Sequence, residues 1–450
     1  MSIHQQFPNG SDRQSSVSIA SDISASNLAR TDNHLLVKKF TSLDSKVVQK
    51  ILDVLGRPAI RMVFWDGTTI PTDVDEPIAT LYFRDRASLY QTLWYPELRF
   101  GDLYTEGRVE VEGDLPGLLH VVYQGLKNNG PTPWLARLNG WLVNRKIFNT
   151  RGRAAENIHH HYDIGNDFYR LWLDQVAMQY TCAYYPDPGL SLEDAQLAKM
   201  RHICRKLQLK PGDTVVEAGC GWGGFARYMA KNYDVSVKAY NISREQVNYA
   251  RDVARAEGLT DRVEYVQDDY RNIRGQFDVF VSVGMLEHVG PSHYPVLGEV
   301  ISHCLKADGR GLIHSIGRNR PRPINPWIER RIFPGAYPPT LRETMDIFES
   351  SNMSVTDVEN LRLHYAKTLE EWLQRYEQHI DQVEAMMDER FVRSWRLYLA
   401  GSKAAFTSGK LQLFQLLFTR DDNNKLPWSR QHLYHPGDEG KAELPATTND

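Results

Sequence analysis

Glu217-Ala-Gly219-Cys220-Gly221-Trp222-Gly223-Gly224 sets a carboxylate directly before a run of closely spaced glycines. Asp213-Thr-Val-Val216 ahead of it reads as a short β-branched strand, and Phe225 and Met229 after it fall one turn apart on one helix face. Strand, glycine turn and helix in that order let backbone pass close to a nucleotide-like ligand. The GxGxGG spacing departs from the GxGxxG dinucleotide fingerprint, and an acid before the glycines suits a cationic cofactor; S-adenosylmethionine is favoured over NAD. Glu217, Gly219, Gly221 and Gly223 are therefore candidate cofactor residues. Cys220 is counted with the loop, although its side chain reads as a small packing residue. The next strand ends Ala239-Tyr240-Asn241-Ile242-Ser243 with no acid at its tip, so Asn241 and Gln246 would have to hold the ribose hydroxyls. The strand after that ends Gln267-Asp268-Asp269-Tyr270, where Asp269 can accept from an adenine amino group and Tyr270 can stack on the ring.

These residues need a scaffold, and the pattern from about Ala155 to Arg420 supplies one. Strands are expected at 235–240, 263–266, 277–283 and 311–316, with a helix from Arg244 to Ala256. This βαβα order predicts an α/β fold with a parallel, doubly wound sheet, and ligands at the carboxyl ends of its strands. A smaller α+β unit is expected at 36–130: a helix over Ser45–Leu55, strands at 60–65, 78–83 and 107–112, and turns at Asp66-Gly67 and Glu112-Gly113-Asp114. Between them, residues 131–154 interleave Trp134 and Trp141 with Arg137, Arg145, Lys146, Arg151 and Arg153. That linker reads either as a membrane-surface helix or as an inter-domain helix packed on the core. Eight serines within the first 26 residues read as a disordered segment over 1–35, and 421–450 as a loose polar tail.

Composition narrows the class. A net charge of −3 gives no electrostatic support to nucleic-acid binding. The four cysteines, at scattered spacings, form neither a metal pattern nor a disulfide framework, which fits a reducing cytoplasm. No run of 18 apolar residues and no signal-peptide order occur, so membrane contact is expected to be peripheral. His159-His160-His161 is not expected to bind metal, since consecutive histidines on one helix point different ways.

Ser282-Val-Gly-Met-Leu-Glu-His-Val-Gly-Pro291 resembles the fourth-strand motif of cyclopropane fatty acid synthases. So do His161-Tyr-Asp-Ile-Gly-Asn-Asp-Phe-Tyr169, Met178-Gln-Tyr-Thr-Cys-Ala-Tyr184 and Leu312-Ile-His-Ser-Ile-Gly317, in order over about residues 157–420. The resemblance implies a class I methyltransferase fold acting on a cis double bond in a phospholipid acyl chain. It implies an N-terminal domain tied to phospholipid, a bilayer surface as partner on the inner, cytoplasmic face of the membrane, and a possible homodimer. It also implies a bound bicarbonate as the base, held by Cys182, Glu287, His314, Ile316 and Tyr365, with backbone amides from Cys182 and Ile316. Tyr180 and Thr181 join the cofactor residues in the same way.

Two positions depart from the family. Asn241 stands where threonine is usual, and Ser402 where many members carry a cysteine once proposed as nucleophile, so covalent catalysis from that position is excluded. Arg318 to Pro339 carries five arginines among prolines and reads either as a lid over phospholipid head groups or as a solvated loop. Three other readings stay open: a methylene-branched product from the same alkene, a small-molecule amine methyltransferase, and a lipid-binding protein without activity.

Overall fold

A computed structural model describes residues 39–70, 75–128 and 164–434. The disordered segment expected at 1–35, the Trp/Arg linker at 131–154 and His159–His161 lie outside the described residues, as does the tail from 435.

The first sheet has the order β2-β1-β3-β4, from β1 (Ile60–Val63), β2 (Thr69–Ile70), β3 (Ala79–Phe83) and β4 (Val109–Gly113). Its leading helix, Ser42–Val54, starts three residues before the expected Ser45. The cause is a reciprocal cap: the Thr41 hydroxyl accepts from the Asp44 amide, and the Asp44 carboxylate accepts from the Thr41 amide. Three helices that the strand-centred reading passed over, Arg86–Trp94, Pro96–Thr105 and Leu115–Asn128, complete this part.

The second sheet has seven strands in the order β10-β11-β9-β8-β5-β6-β7. They are β5 (Thr214–Ala218), β6 (Ser236–Asn241), β7 (Val263–Gln267), β8 (Phe277–Val283), β9 (Leu305–Gly317), β10 (Met353–Asn360) and β11 (Gln412–Arg420). From β7 to β9 the pairing is parallel, as expected. At the other edge β11 runs antiparallel to both β9 and β10, so the sheet is predominantly parallel with one reversed strand. Successive strand residues pack on opposite faces: Val215, Val279 and Val281 on one, Val216 and Phe280 on the other. Both faces are covered, which is why these strands read as nearly continuous apolar runs.

A third cluster joins the small sheet to the large one. Ile60, Leu81 and Phe83 of the small sheet share it with Phe168, Trp172, Trp372 and Trp395. The helix Glu389–Thr407 packs on Leu115–Asn128 and Pro96–Thr105. Polar contacts fix the seam: Arg393 Nε donates to the Tyr104 carbonyl at 2.7 Å, and Arg331 Nε lies 3.1 Å from Asp102 Oδ1. Residues 421–434 are not wholly loose. They carry a short helix, Gln431–Tyr434, with Leu433 buried, and Arg430 pairs with Asp357 at 2.6 Å.

Candidate active site

The glycine loop leaves β5 and turns into the helix Gly224–Tyr233. Gly219 and Gly223 have φ of +86° and +75°, the left-handed region. A Cβ at Gly223 would stand 2.5 Å from the Tyr265 ring, whose hydroxyl donates to the Gly223 carbonyl at 2.7 Å. Gly223 is thus a helix-start and packing position and does not line the cavity, unlike the other candidate residues.

Glu217 sits near the end of β5 with 2 % exposure, and its Oε2 is buried without a partner. Burial pushes its carboxyl up to about 8, against the opposing charges of Lys199 and Arg227. A cationic ligand group would restore the carboxylate, and this orphaned oxygen beside a glycine-walled concavity fits S-adenosylmethionine. Asn241 and Gln246 do come together: Asn241 Nδ2 donates to the Gly221 carbonyl at 3.1 Å and to Gln246 Oε1 at 2.8 Å. The Asn241 amide therefore ties the tip of β6 to the loop. Asp269 lines the cavity and also has a local partner. Arg271 grips both its oxygens at 2.7 Å, and its Oδ1 also accepts from the Arg271 amide. Tyr270 lies beside it in the cavity wall, with the Arg271 guanidinium 5.3 Å from its ring.

Beyond the end of β8, Glu287 sits on the short turn Leu286–His288. Its Oε1 accepts from the Ile316 amide at 2.6 Å, while Oε2 is buried and unpartnered. Burial pushes this carboxyl up to about 7, opposed by the Ile316 amide. The Ile316 backbone amide, expected to face a bicarbonate, is therefore committed to Glu287. His314 lies opposite Gln415 across the β9–β11 pair, and Gln415 Nε2 meets its Nδ1 at 3.1 Å. With burial holding the ring neutral at about 3, Nδ1 accepts from the Gln415 amide group and Nε2 carries the proton. That Nε2 is buried without a partner. An orphaned N–H and an orphaned carboxyl oxygen on one cavity wall fit a small oxyanion with a hydroxyl, such as bicarbonate.

Tyr365, on the helix Arg362–Gln378, packs between Trp372 and Phe406 and lines the same cavity. Cys182 also lines it, but its thiol donates to the Ala183 carbonyl at 3.1 Å and burial drives its pKa far up, so it is no thiolate. Thr181 Oγ1 accepts from Lys199 Nζ at 3.1 Å, and the Tyr180 hydroxyl meets that of Tyr398 at 2.8 Å.

Sequence reasoning missed Lys199 and Gln415. Fully buried, Lys199 also donates to Gln179 Oε1, and burial lowers its pKa. Gln415 is a polar residue within an apolar strand run, Leu413-Phe-Gln-Leu-Leu417, and that was the available signal; Lys199 had none, because its helix also buries Gln196, His202 and Lys206.

Apart from Gly223, the candidate residues face one cavity of about 1120 Å³, with Lys199 and Gln415 behind its wall. From the glycine loop it runs past Glu287 and His314 into the small sheet, where Ile60, Met62, Leu81, Phe83 and Leu118 wall it. Such a shape takes a polar cofactor at one end and a long apolar chain at the other. Among the described residues no helix is long and apolar enough to cross a membrane.

A family model described as mycolic acid cyclopropane synthetase matches residues 149–416, and one described only as a domain of unknown function matches 47–129. A probable fatty acid methyltransferase of Pseudomonas putida is 36% identical over 387 residues, covering 83% of this chain and 96% of the relative. The cyclopropane-fatty-acyl-phospholipid synthase of Escherichia coli K12 is 38% identical over 336 residues, covering 74% of this chain and 86% of the relative. Among solved structures, the mycolic acid cyclopropane synthase CmaA1 complexed with SAH and CTAB matches with a TM-score of 0.56 and 28% identity, over 59% of this chain and 98% of that one.

Proposed function

Since the chain belongs to the mycolic acid cyclopropane synthetase family and is a methyltransferase that uses S-adenosylmethionine, we propose that it converts a cis double bond in a membrane phospholipid acyl chain to a cyclopropane ring. The observation that carries this reading is the single cavity joining Glu217, Glu287 and His314 to an apolar interior. An amine methyltransferase needs no such interior.

When bound, S-adenosylmethionine supplies an electrophilic methyl that an alkene can attack, leaving a carbocation in the acyl chain that closes to a ring on losing a proton. A bicarbonate held between His314 and Glu287 would supply the base for that proton. Glu217 offers its orphaned Oε2 to the donor's positive charge, and Asn241 and Gln246 face it from the tip of β6. His314 Nε2–H would donate to that anion, and Glu287 Oε2 would accept from or donate to its hydroxyl according to its own protonation. An alkene is a weak nucleophile, so the apolar wall has two tasks: it holds the chain against the methyl and keeps water from the cation. Side chains of the small sheet and its helices contribute much of that wall and act as the receptacle for the acyl chain. The enzyme then works at the cytoplasmic face of a bilayer, drawing one chain inward.

A second reading is methylation of the same alkene to a methylene-branched chain; the Pseudomonas putida relative is named for fatty acid methyl transfer, with no ring specified. Incubation of the protein with labelled methyl donor and dioleoyl phosphatidylglycerol vesicles tests the shared part. Label in the acyl chains, reduced on removing bicarbonate, is expected; an unlabelled lipid fraction would refute it.

A further inference from the structure

A second polar cluster lines the same cavity away from the glycine loop. Arg318 follows β9, its amide bound to the Pro339 carbonyl at 2.9 Å, and it is only 4 % exposed. Its Nη1 donates to the carbonyls of Arg322 and Pro323, but its Nε is buried with no partner. The Arg322 guanidinium is 3.7 Å from Glu97 Oε1. Lys410 Nζ is 4.0 Å from that same oxygen and 4.2 Å from the centre of the Tyr123 ring. Both separations exceed a direct hydrogen bond, so one carboxylate loosely serves these two cations. The carboxylate that acts on Arg318 is Glu343, and it is occupied by Thr340 and by the Tyr337 hydroxyl at 2.8 Å. Burial lowers Arg318 to about 10 and Lys410 to about 8, with the neighbouring cations adding to both. Cations so placed gain most from an anion that also takes their spare N–H groups.

We propose that Arg318, Arg322 and Lys410 bind the phosphate group of the lipid substrate, within the cavity that receives its acyl chain. This rests on the phospholipid reading above and deepens it. The phosphate would anchor the lipid at one end of the cavity while the alkene reaches the glycine loop. Arg318 and Arg322 open the arginine-rich stretch after β9, which then has a binding role beyond that of a solvated loop.

Calorimetric titration of the full chain with dioctanoyl phosphatidylglycerol, dioctanoylglycerol and inorganic phosphate tests the assignment without relying on turnover. The phospholipid should bind about tenfold more tightly than the diacylglycerol, and Arg322→Gln with Lys410→Met should remove that preference. Lys410→Arg should keep it. S-adenosylhomocysteine binding reports whether the double variant is folded; if it is not, Arg322→Gln alone, on a half-exposed side chain, carries the comparison. Equal binding of the two lipids overturns the proposal, and so does a preference that survives the substitutions. Inorganic phosphate binding that is lost in the variants, with no preference between lipids, would assign the cluster to free phosphate instead. A phosphate preference without methyl transfer would count against the reaction reading alone, whereas transfer without a preference would count against this inference alone.

Discussion

Glu287 is a carboxylic acid held where its charge is costly, and that has two measurable consequences. The first concerns turnover. If its free oxygen orients the anion, Glu287→Gln should lose activity by about 100-fold or more while S-adenosylhomocysteine still binds, as calorimetry would show. The second concerns stability. Its folded-state pKa of about 7 lies above the ordinary glutamate value of 4.5. Between those two pH values the folded protein binds the extra proton, so stability falls as pH rises through the interval and stays lower above it. The neutral variant should therefore be more stable than the native protein at pH 8, by up to about 3 kcal/mol, and lose that advantage near pH 4.5. Denaturant midpoints of the two proteins at both pH values check this. His314 does not confuse the comparison at pH 8, because its depressed pKa matters only below about 6.5. At Glu217 the opposite charge is needed: Glu217→Gln should weaken donor binding by about tenfold or more, read in the same titration.

At the scale of elements, the strands that carry the site act through their registers. His314 and Gln415 face each other only because β9 and β11 pair antiparallel. Gln415→Leu should keep the strand and lower kcat by about tenfold, since the His314 proton would no longer be fixed on Nε2; unchanged kcat would exclude this positioning role. Gly223→Ala should destabilise the protein by about 1–3 kcal/mol, because a methyl meets the Tyr265 ring and φ is positive. Thermal unfolding reads that cost. The same elements show what the sequence could convey. The helix Arg244–Ala256 and strand Phe277–Val283 fall where periodicity put them, each being bounded by clear signals: the Ser243 cap for the helix, and the turn at Gly284 for the strand. The reversed strand β11 was not legible, because a buried apolar run looks alike in either direction. Side-chain commitments were likewise invisible: Ile316 spends its amide on Glu287, and Asp269 its carboxylate on Arg271, through contacts that no motif spacing encodes.

For the whole molecule, the two sheets matter as one container. The glycine loop identifies a methyl-donor site, but the apolar length that makes a lipid plausible is partly built by residues 36–130, where no chemical motif stands. The route from residues to reaction thus needed both the local signature and the joint core of the two sheets. The most direct measurement is proton NMR of phospholipid recovered after incubation with the protein, S-adenosylmethionine and bicarbonate. The account predicts the upfield signals of cyclopropane ring protons, with loss of the olefinic ones. Vinylidene protons, or an unchanged alkene, would contradict it.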